Sequence, residues 1–122
     1  MANPVVHFEV VGKDAAALQK FYGEAFDWEI SEQMPGSPMS YAMARPRTED
    51  GIDGGIGGGT DATNGHVTFY IAVDDLDAAL SKIQSLGGKT VMPPDKVPDG
   101  PTIALFSDPE GHVIGLVLPD GE

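Results

Sequence analysis

The sequence predicts an α+β fold made of two βαβββ units within one domain. Three observations lead to this prediction: alternating strand patterns dominate the 122 residues, amphipathic helix patterns interrupt them twice, and the whole series repeats after a shift of 61 positions. Such a unit cannot bury its own sheet face, so it pairs with its neighbour. We therefore expect one domain over 1–122, with repeats at about 4–59 and 66–118. A curved mixed sheet should surround a cavity, with the helices outside.

The first repeat opens with an alternating strand at 5–11 and continues with a helix. Asp14 precedes the helix and predicts an N-terminal cap. Further strands are expected at 28–31, 39–43 and within the glycine-rich tract 52–59. That tract lacks a Gly-Lys-Ser/Thr ending and no helix pattern follows it, so a phosphate-binding loop is not expected. The apolar stripe of the helix should consist of Leu18, Phe21, Tyr22 and Ala25.

The second repeat follows the same order. A strand at 66–73 leads to a helix at 76–86, which Asp75 should cap and the pair Gly87 and Gly88 should end. Its stripe should consist of Leu76, Ala79, Leu80 and Ile83. The remaining strands are expected at 89–92, where two prolines should stop the strand, at 101–106, and at 112–118 after a tight turn at 108–111.

Charge and composition exclude several classes of function. The net charge of −12 opposes binding to nucleic acid or to an anionic membrane surface. The absence of cysteine rules out disulfides, thiolate metal sites and a cysteine nucleophile, and it suits a reducing compartment. Residues 1–4 lack the basic start of a signal peptide. These features predict a cytoplasmic protein without nucleic-acid or membrane partners.

Several short segments together resemble one protein family. They are 7–14 with Phe21 and Tyr22, then 73–80, Gly87 with Gly88, and 106–111. In order and spacing they are similar to the vicinal oxygen chelate superfamily of glyoxalases, bleomycin-resistance proteins and extradiol dioxygenases. The resemblance covers about 5–118. It implies the fold described above and, in members with catalytic activity, a divalent metal bound by one ligand from the first and one from the last strand of each repeat.

Only one of the four implied ligand positions carries a good donor. His7 takes the first position, whereas Thr68 and Gly115 take both positions of the second repeat. In 52–58 the residue able to bind a metal is Asp53, which comes early in the strand. A metal site needs three or four converging nitrogen or oxygen donors. The resemblance thus predicts a metal-independent small-molecule-binding protein without a cofactor.

An altered metal site is an alternative. Glu9 shares a strand face with His7, and His66 shares one with Thr68, so His7, Glu9 and His66 would offer two imidazoles and a carboxylate. The chain would then be a glyoxalase-type lyase or isomerase, or an extradiol-type dioxygenase. Whether it is an enzyme stays open. His7 and Glu9 as an acid–base pair and a ligand-free component of a larger assembly are further possibilities.

The expected ligand is a small organic molecule, because aromatic rings with a few polar groups suit one. Trp28 and the tyrosines are alternatively core residues. Arg45 and Arg47 are able to hold a carboxylate but more simply lie in solvent, and His112 is expected in a surface turn. Open sheets gain from a partner, so we expect a homodimer. The expected ligand-binding residues are His7, Glu9, Trp28, Tyr41, Thr68 and Tyr70.

Overall fold

The predicted doubling of a βαβββ unit is confirmed. The computed structural model describes residues 2–31, 40–58, 65–97 and 100–118. Over these residues the first repeat contains β1 Val5–Gly12, α1 Ala15–Phe26, β2 Glu29–Ile30, β3 Ala42–Arg45 and β4 Gly54–Gly58. The second repeat contains β5 His66–Ala72, α2 Leu76–Ser85, β6 Lys89–Lys96, β7 Thr102–Ser107 and β8 Val113–Val117.

Both predicted helix caps are present. Asp14 accepts a hydrogen bond from the backbone N–H of Ala17 at 3.0 Å, and Asp75 accepts one from Ala78 at 3.0 Å. Each carboxylate satisfies an amide that has no partner within the helix. At the end of α2, Gly87 has a φ of 104°, and the N–H groups of Gly87 and Gly88 bond back into the last turn. Glycine suits this left-handed termination because it lacks a Cβ.

The apolar stripe of α1 differs from the predicted one. Its buried residues are Ala15 and Gln19, whereas Phe21 remains 60% exposed. The buried face is therefore rotated by about one residue from the 18, 21, 22, 25 stripe. In α2 the predicted stripe is confirmed, because Leu76 and Leu80 are buried in a cluster with Val73, Ala104 and Leu116, and Ala79 and Ile83 pack against it.

The strands form two compact units. In the unit His7–Val67 the order is β2-β3-β4-β1, with β1 and β4 parallel and the other neighbours antiparallel. In the unit containing Met1–Val6 and Thr68–Glu122 the order is β5-β8-β7-β6, with β5 and β8 parallel. The division falls inside β1 and β5, so the start of β1 belongs with the second repeat, where the Ala72 N–H bonds to the Pro4 carbonyl at 2.9 Å.

Two predicted strand boundaries are wrong. The third strand runs over Ala42–Arg45 instead of 39–43, after Ser40 with a left-handed φ of 52°, while Met39 lies outside the described residues. β6 continues through Pro93 and Pro94 to Lys96, with register shifts between Thr90 and Met92 and between Met92 and Asp95. Prolines are tolerated there because β6 is the last strand in its unit and its pairing is irregular.

The glycine-rich tract forms β4, as expected. Gly54 lies directly under the ring of Phe8, its partner across the parallel pair, and a Cβ there would come within 2.4 Å of that ring. Gly58 has a φ of 139°, and its Cβ would come within 1.8 Å of the Gly12 carbonyl oxygen. Close approach of neighbouring groups thus explains why glycine occurs at these positions.

The described helices are short. α1 has 12 residues and α2 has 10. Among the residues that the structure describes, no helix has the length and apolar character needed to cross a membrane.

Candidate functional site

Four polar side chains in the unit His7–Val67 form one hydrogen-bonded series, which we call the tetrad. His7 and Glu9 alternate along β1 and therefore share a face of the strand. The Nε2 atom of His7 lies 2.9 Å from the hydroxyl of Tyr41, and this hydroxyl donates to Oε1 of Glu9 at 3.1 Å. Nε2 of His66 lies 2.8 Å from Oε2 of the same carboxylate. The order is thus His7, Tyr41, Glu9, His66.

The direction of these bonds follows from the protons available. A phenol carries one proton, and that of Tyr41 points to Glu9, so His7 donates its Nε2 proton to the Tyr41 oxygen. His66 likewise donates to Glu9, since an ionised carboxylate only accepts. The tetrad leads from the largely enclosed Glu9, whose side chain is 13% exposed, to His66 at 49%. It connects the interior of the site to solvent.

Tyr41 owes its position to a glycine and a glutamine. Its ring lies directly over Gly55, where a Cβ would come within 1.8 Å of the hydroxyl. The buried amide of Gln19 donates to the carbonyls of Ser40 at 2.9 Å and Ile56 at 2.8 Å. These bonds hold the backbone beside Tyr41 to α1 and β4. Neither contact was expected from the sequence. Gln19 lies about one helical turn after Ala15 on the buried face of α1, and a polar residue at that spacing was the available signal for a buried amide.

Burial dominates the electrostatics of His7. Desolvation lowers its pKa below the ordinary value of 6.5, and the charges of Glu9 and Asp53 oppose this shift only in part. A lowered pKa keeps the imidazole neutral at neutral pH. His7 therefore acts in the site as a neutral hydrogen-bonding group.

We expect the lowered pKa of His7 to make the protein less stable in mild acid. As the pH falls through 6.5 the unfolded chain takes up a proton at His7 before the folded one does, so the free energy of unfolding decreases until the pH passes the folded pKa. Urea unfolding between about pH 8 and pH 5 should show this loss. The loss of unfolding free energy should be smaller in His7→Gln. An NMR titration giving His7 a pKa above 6.5 would contradict the expectation.

Two further predicted ligand-binding residues, Thr68 and Tyr70, lie in the second repeat, within the unit containing Thr68–Glu122. The hydroxyl of Thr68 donates to the carbonyl of Val113 at 2.8 Å and the residue is buried. The ring of Tyr70 covers Gly115, its partner in the parallel pair of β5 and β8, where a Cβ would lie 2.3 Å from the ring. Tyr70 therefore occupies the space beside Gly115, one of the four implied ligand positions.

Trp28 lies away from the tetrad. Its ring contacts those of Phe8, Tyr22 and Phe26, with ring centroids 5.3, 5.8 and 5.5 Å away. Phe8 alternates with His7 and Glu9 along β1, so this aromatic cluster lies on the opposite face of the strand. The structure brings His7, Glu9 and Tyr41 together and places Trp28 elsewhere, and a role for Trp28 in ligand binding stays a prediction.

The two arginines face carboxylates of the chain itself. Arg45 lies 3.6 Å from Asp53, and Arg47 bonds to Glu29. His112 lies in the predicted surface turn, where its Nδ1 atom contacts Asp108 at 2.9 Å. These pairs are largely exposed, so they stabilise the fold little.

The residues at the two implied metal positions of the second repeat do not fit a divalent ion. Thr68 offers only a neutral hydroxyl, which donates to the Val113 carbonyl, while Gly115 has no side chain and is covered by a tyrosine ring. Over the described parts of the chain no three or more His, Asp or Glu side chains are grouped to hold a metal. In the tetrad, the Tyr41 hydroxyl bridges His7 and Glu9.

Comparison with known proteins agrees with this fold. The family model described as "Glyoxalase/Bleomycin resistance protein/Dioxygenase superfamily" matches residues 5–116. CFP32 of Mycobacterium tuberculosis, which carries the name of a glyoxylase, is 32% identical over 106 residues, covering 84% of this chain and 41% of that protein. The anthracycline biosynthesis protein DnrV of Streptomyces peucetius is 28% identical, covering 89% and 44%.

A solved structure shows the same architecture at low identity. Methylmalonyl-CoA epimerase from Mycobacterium tuberculosis superposes with a TM-score of 0.75 and 15% identity, covering 96% of this chain and 88% of that one. The chain spans about two fifths of the length of CFP32 and DnrV. With a family model matching 5–116, the chain belongs to the glyoxalase/bleomycin resistance protein/dioxygenase superfamily.

Proposed function

We propose that this chain binds a small organic molecule at the face bearing the tetrad, and that it does so without a divalent metal. One observation carries the proposal: in both repeats the last strand presents a glycine under a tyrosine ring. Gly55 lies under Tyr41 and Gly115 under Tyr70. Neither glycine has a donor atom on its side chain, and each ring takes the space that a ligand side chain would need.

The two glycines occupy equivalent positions. Glu9 pairs with Gly55 across β1 and β4, and Tyr70 pairs with Gly115 across β5 and β8. Glu9 and Tyr70 are separated by 61 positions, which is the shift between the repeats. The loss of a donor is therefore matched in both halves. Of the four implied positions only that of His7 retains a strong donor, while metal sites need three or four.

The tetrad supports binding of an organic ligand. It combines a neutral imidazole, a phenol, a carboxylate and a second imidazole on one face of the unit. A few fixed polar groups beside aromatic rings are typical of sites for small organic molecules. Relatives named for glyoxylase chemistry and for anthracycline biosynthesis are consistent with such a ligand. Pairing into a homodimer and a cytoplasmic location stay predictions from the sequence.

Metal analysis of protein purified without chelators tests the proposal. We expect iron, nickel, manganese and zinc each far below one equivalent per chain, and NMR shifts of the His7 and His66 rings on adding aromatic small molecules that persist with excess EDTA. Stoichiometric metal in the wild type that is lost in His7→Ala would overturn the metal-independent function. That result would favour the alternative, an enzyme using His7, Glu9 and His66 as an altered metal site.

A further inference from the structure

Resting on the proposed function, we infer that the tetrad selects its ligand by charge: it takes neutral or cationic organic molecules that donate hydrogen bonds and rejects anionic ones. The inference follows from Glu9. Its carboxylate lies at the centre of the tetrad, accepts from Tyr41 and His66, and is largely enclosed. A charge enclosed in this way is screened less by solvent than a surface carboxylate.

His7 does little to offset this charge at neutral pH. His7 is neutral because burial outweighs the neighbouring acids. Asp53 also acts electrostatically on His7, so a second carboxylate, which pairs with Arg45, lies within range of the site.

Three of the four basic residues of the first repeat pair with carboxylates other than Glu9. Between residues 7 and 67 the chain has ten acidic and four basic side chains. Arg45 pairs with Asp53, Arg47 pairs with Glu29, and Lys20 lies 4.0 Å from Glu24 on α1. Lys13 follows β1 six residues after His7, which is about 20 Å along an extended strand.

These charges disfavour the binding of an anionic ligand and favour a ligand that donates hydrogen bonds. An anionic group beside the tetrad would lie within a few ångströms of Glu9 and meet repulsion in a partly enclosed setting. A phenol or an ammonium group can instead donate to the carboxylate, and bonds to a charged acceptor are stronger than neutral ones. The class that fits is a hydroxylated aromatic or aromatic amine, as opposed to a carboxylate or phosphate ester.

Three probes with one ring system and different charge test the inference. At about pH 8, 2-naphthylmethylamine, 2-naphthol and 2-naphthoate are titrated into the full chain, and the His7 and His66 ring resonances report binding at the tetrad. We expect the cation and the neutral phenol to bind at least about tenfold more tightly than the anion. Glu9→Gln keeps the shape of the side chain and should reduce this ratio to nearly one.

Asp77→Asn is the matched control, because it removes one negative charge from the first turn of α2 in the second repeat. It should keep the full selectivity, which separates a local effect of Glu9 from the overall charge of −12. Anion binding as tight as that of the amine, or selectivity unchanged in Glu9→Gln, would overturn the charge selection and leave the proposed function in place. If no probe shifts either histidine, both proposals fail.

Discussion

Replacing Gly55 by alanine is expected to lower the free energy of unfolding by about 2–3 kcal/mol, in the range of overpacked cores. An alanine Cβ would come within 1.8 Å of the Tyr41 hydroxyl and within 1.9 Å of the ring carbon that bears it. The ring therefore has to leave its place over β4, which also breaks its bonds to His7 and Glu9. Urea unfolding followed by circular dichroism measures the loss, and NMR of the His7 ring reports the broken contact.

A double-mutant cycle with Tyr41→Ala isolates the clash. In that background Gly55→Ala should cost little, because the atoms that would collide with the new methyl group are gone. Gly12→Ala is the matched control, since its Cβ would meet the flexible end of the Leu18 side chain at 2.6 Å. We expect it to cost less than about 1 kcal/mol. Equal losses for Gly55→Ala with and without Tyr41 would show that the tyrosine ring is not the cause.

Tyr41→Phe is expected to lower the free energy of unfolding by about 1–2 kcal/mol while leaving the ring in place over Gly55. The hydroxyl is the atom that joins His7 to Glu9. Its removal takes one hydrogen-bond partner from each of these part-buried groups, and this costs more than the loss of a surface bond. Urea unfolding measures the stability, and the His7 ring resonances should shift with the change of partner.

Tyr22→Phe is the control for this substitution. Its ring stacks on Trp28 with centroids 5.8 Å apart, so the aromatic contact persists when the hydroxyl is removed. The change should alter stability by less than about 0.5 kcal/mol. The tetrad as described would be contradicted if Tyr41→Phe matched the wild type both in stability and in the position of the His7 resonances.

Features with a local cause were predictable from the sequence. The order of elements, the caps Asp14 and Asp75 and the termination at Gly87 each depend on residues within one or two turns. The α2 stripe was also correct, because Leu76 and Leu80 face the sheet at ordinary helical spacing. The doubling followed from these local patterns occurring twice.

Features caused by distant residues were not predictable. Phe21 stays exposed and contacts Tyr22 edge-on, while Tyr22 itself stacks on Trp28. The same is true of the site. The shared face of His7 and Glu9 was predictable from strand alternation, but the placement of Tyr41 between them depends on Gly55, which lies 14 residues further along the chain. Such a contact needs the strand register, which no spacing in the sequence encodes.

The prolines of β6 have a consequence for how copies of this chain meet. β6 pairs with β7 on one side and is the last strand of its unit, and among the described residues no strand pairs with its opposite side. Pro93 and Pro94 carry no N–H, and because successive amides of a strand point to opposite sides, one of the two prolines removes a donor from that edge. Intermolecular strand addition, the first step of many aggregation processes, would find no continuous template at this edge.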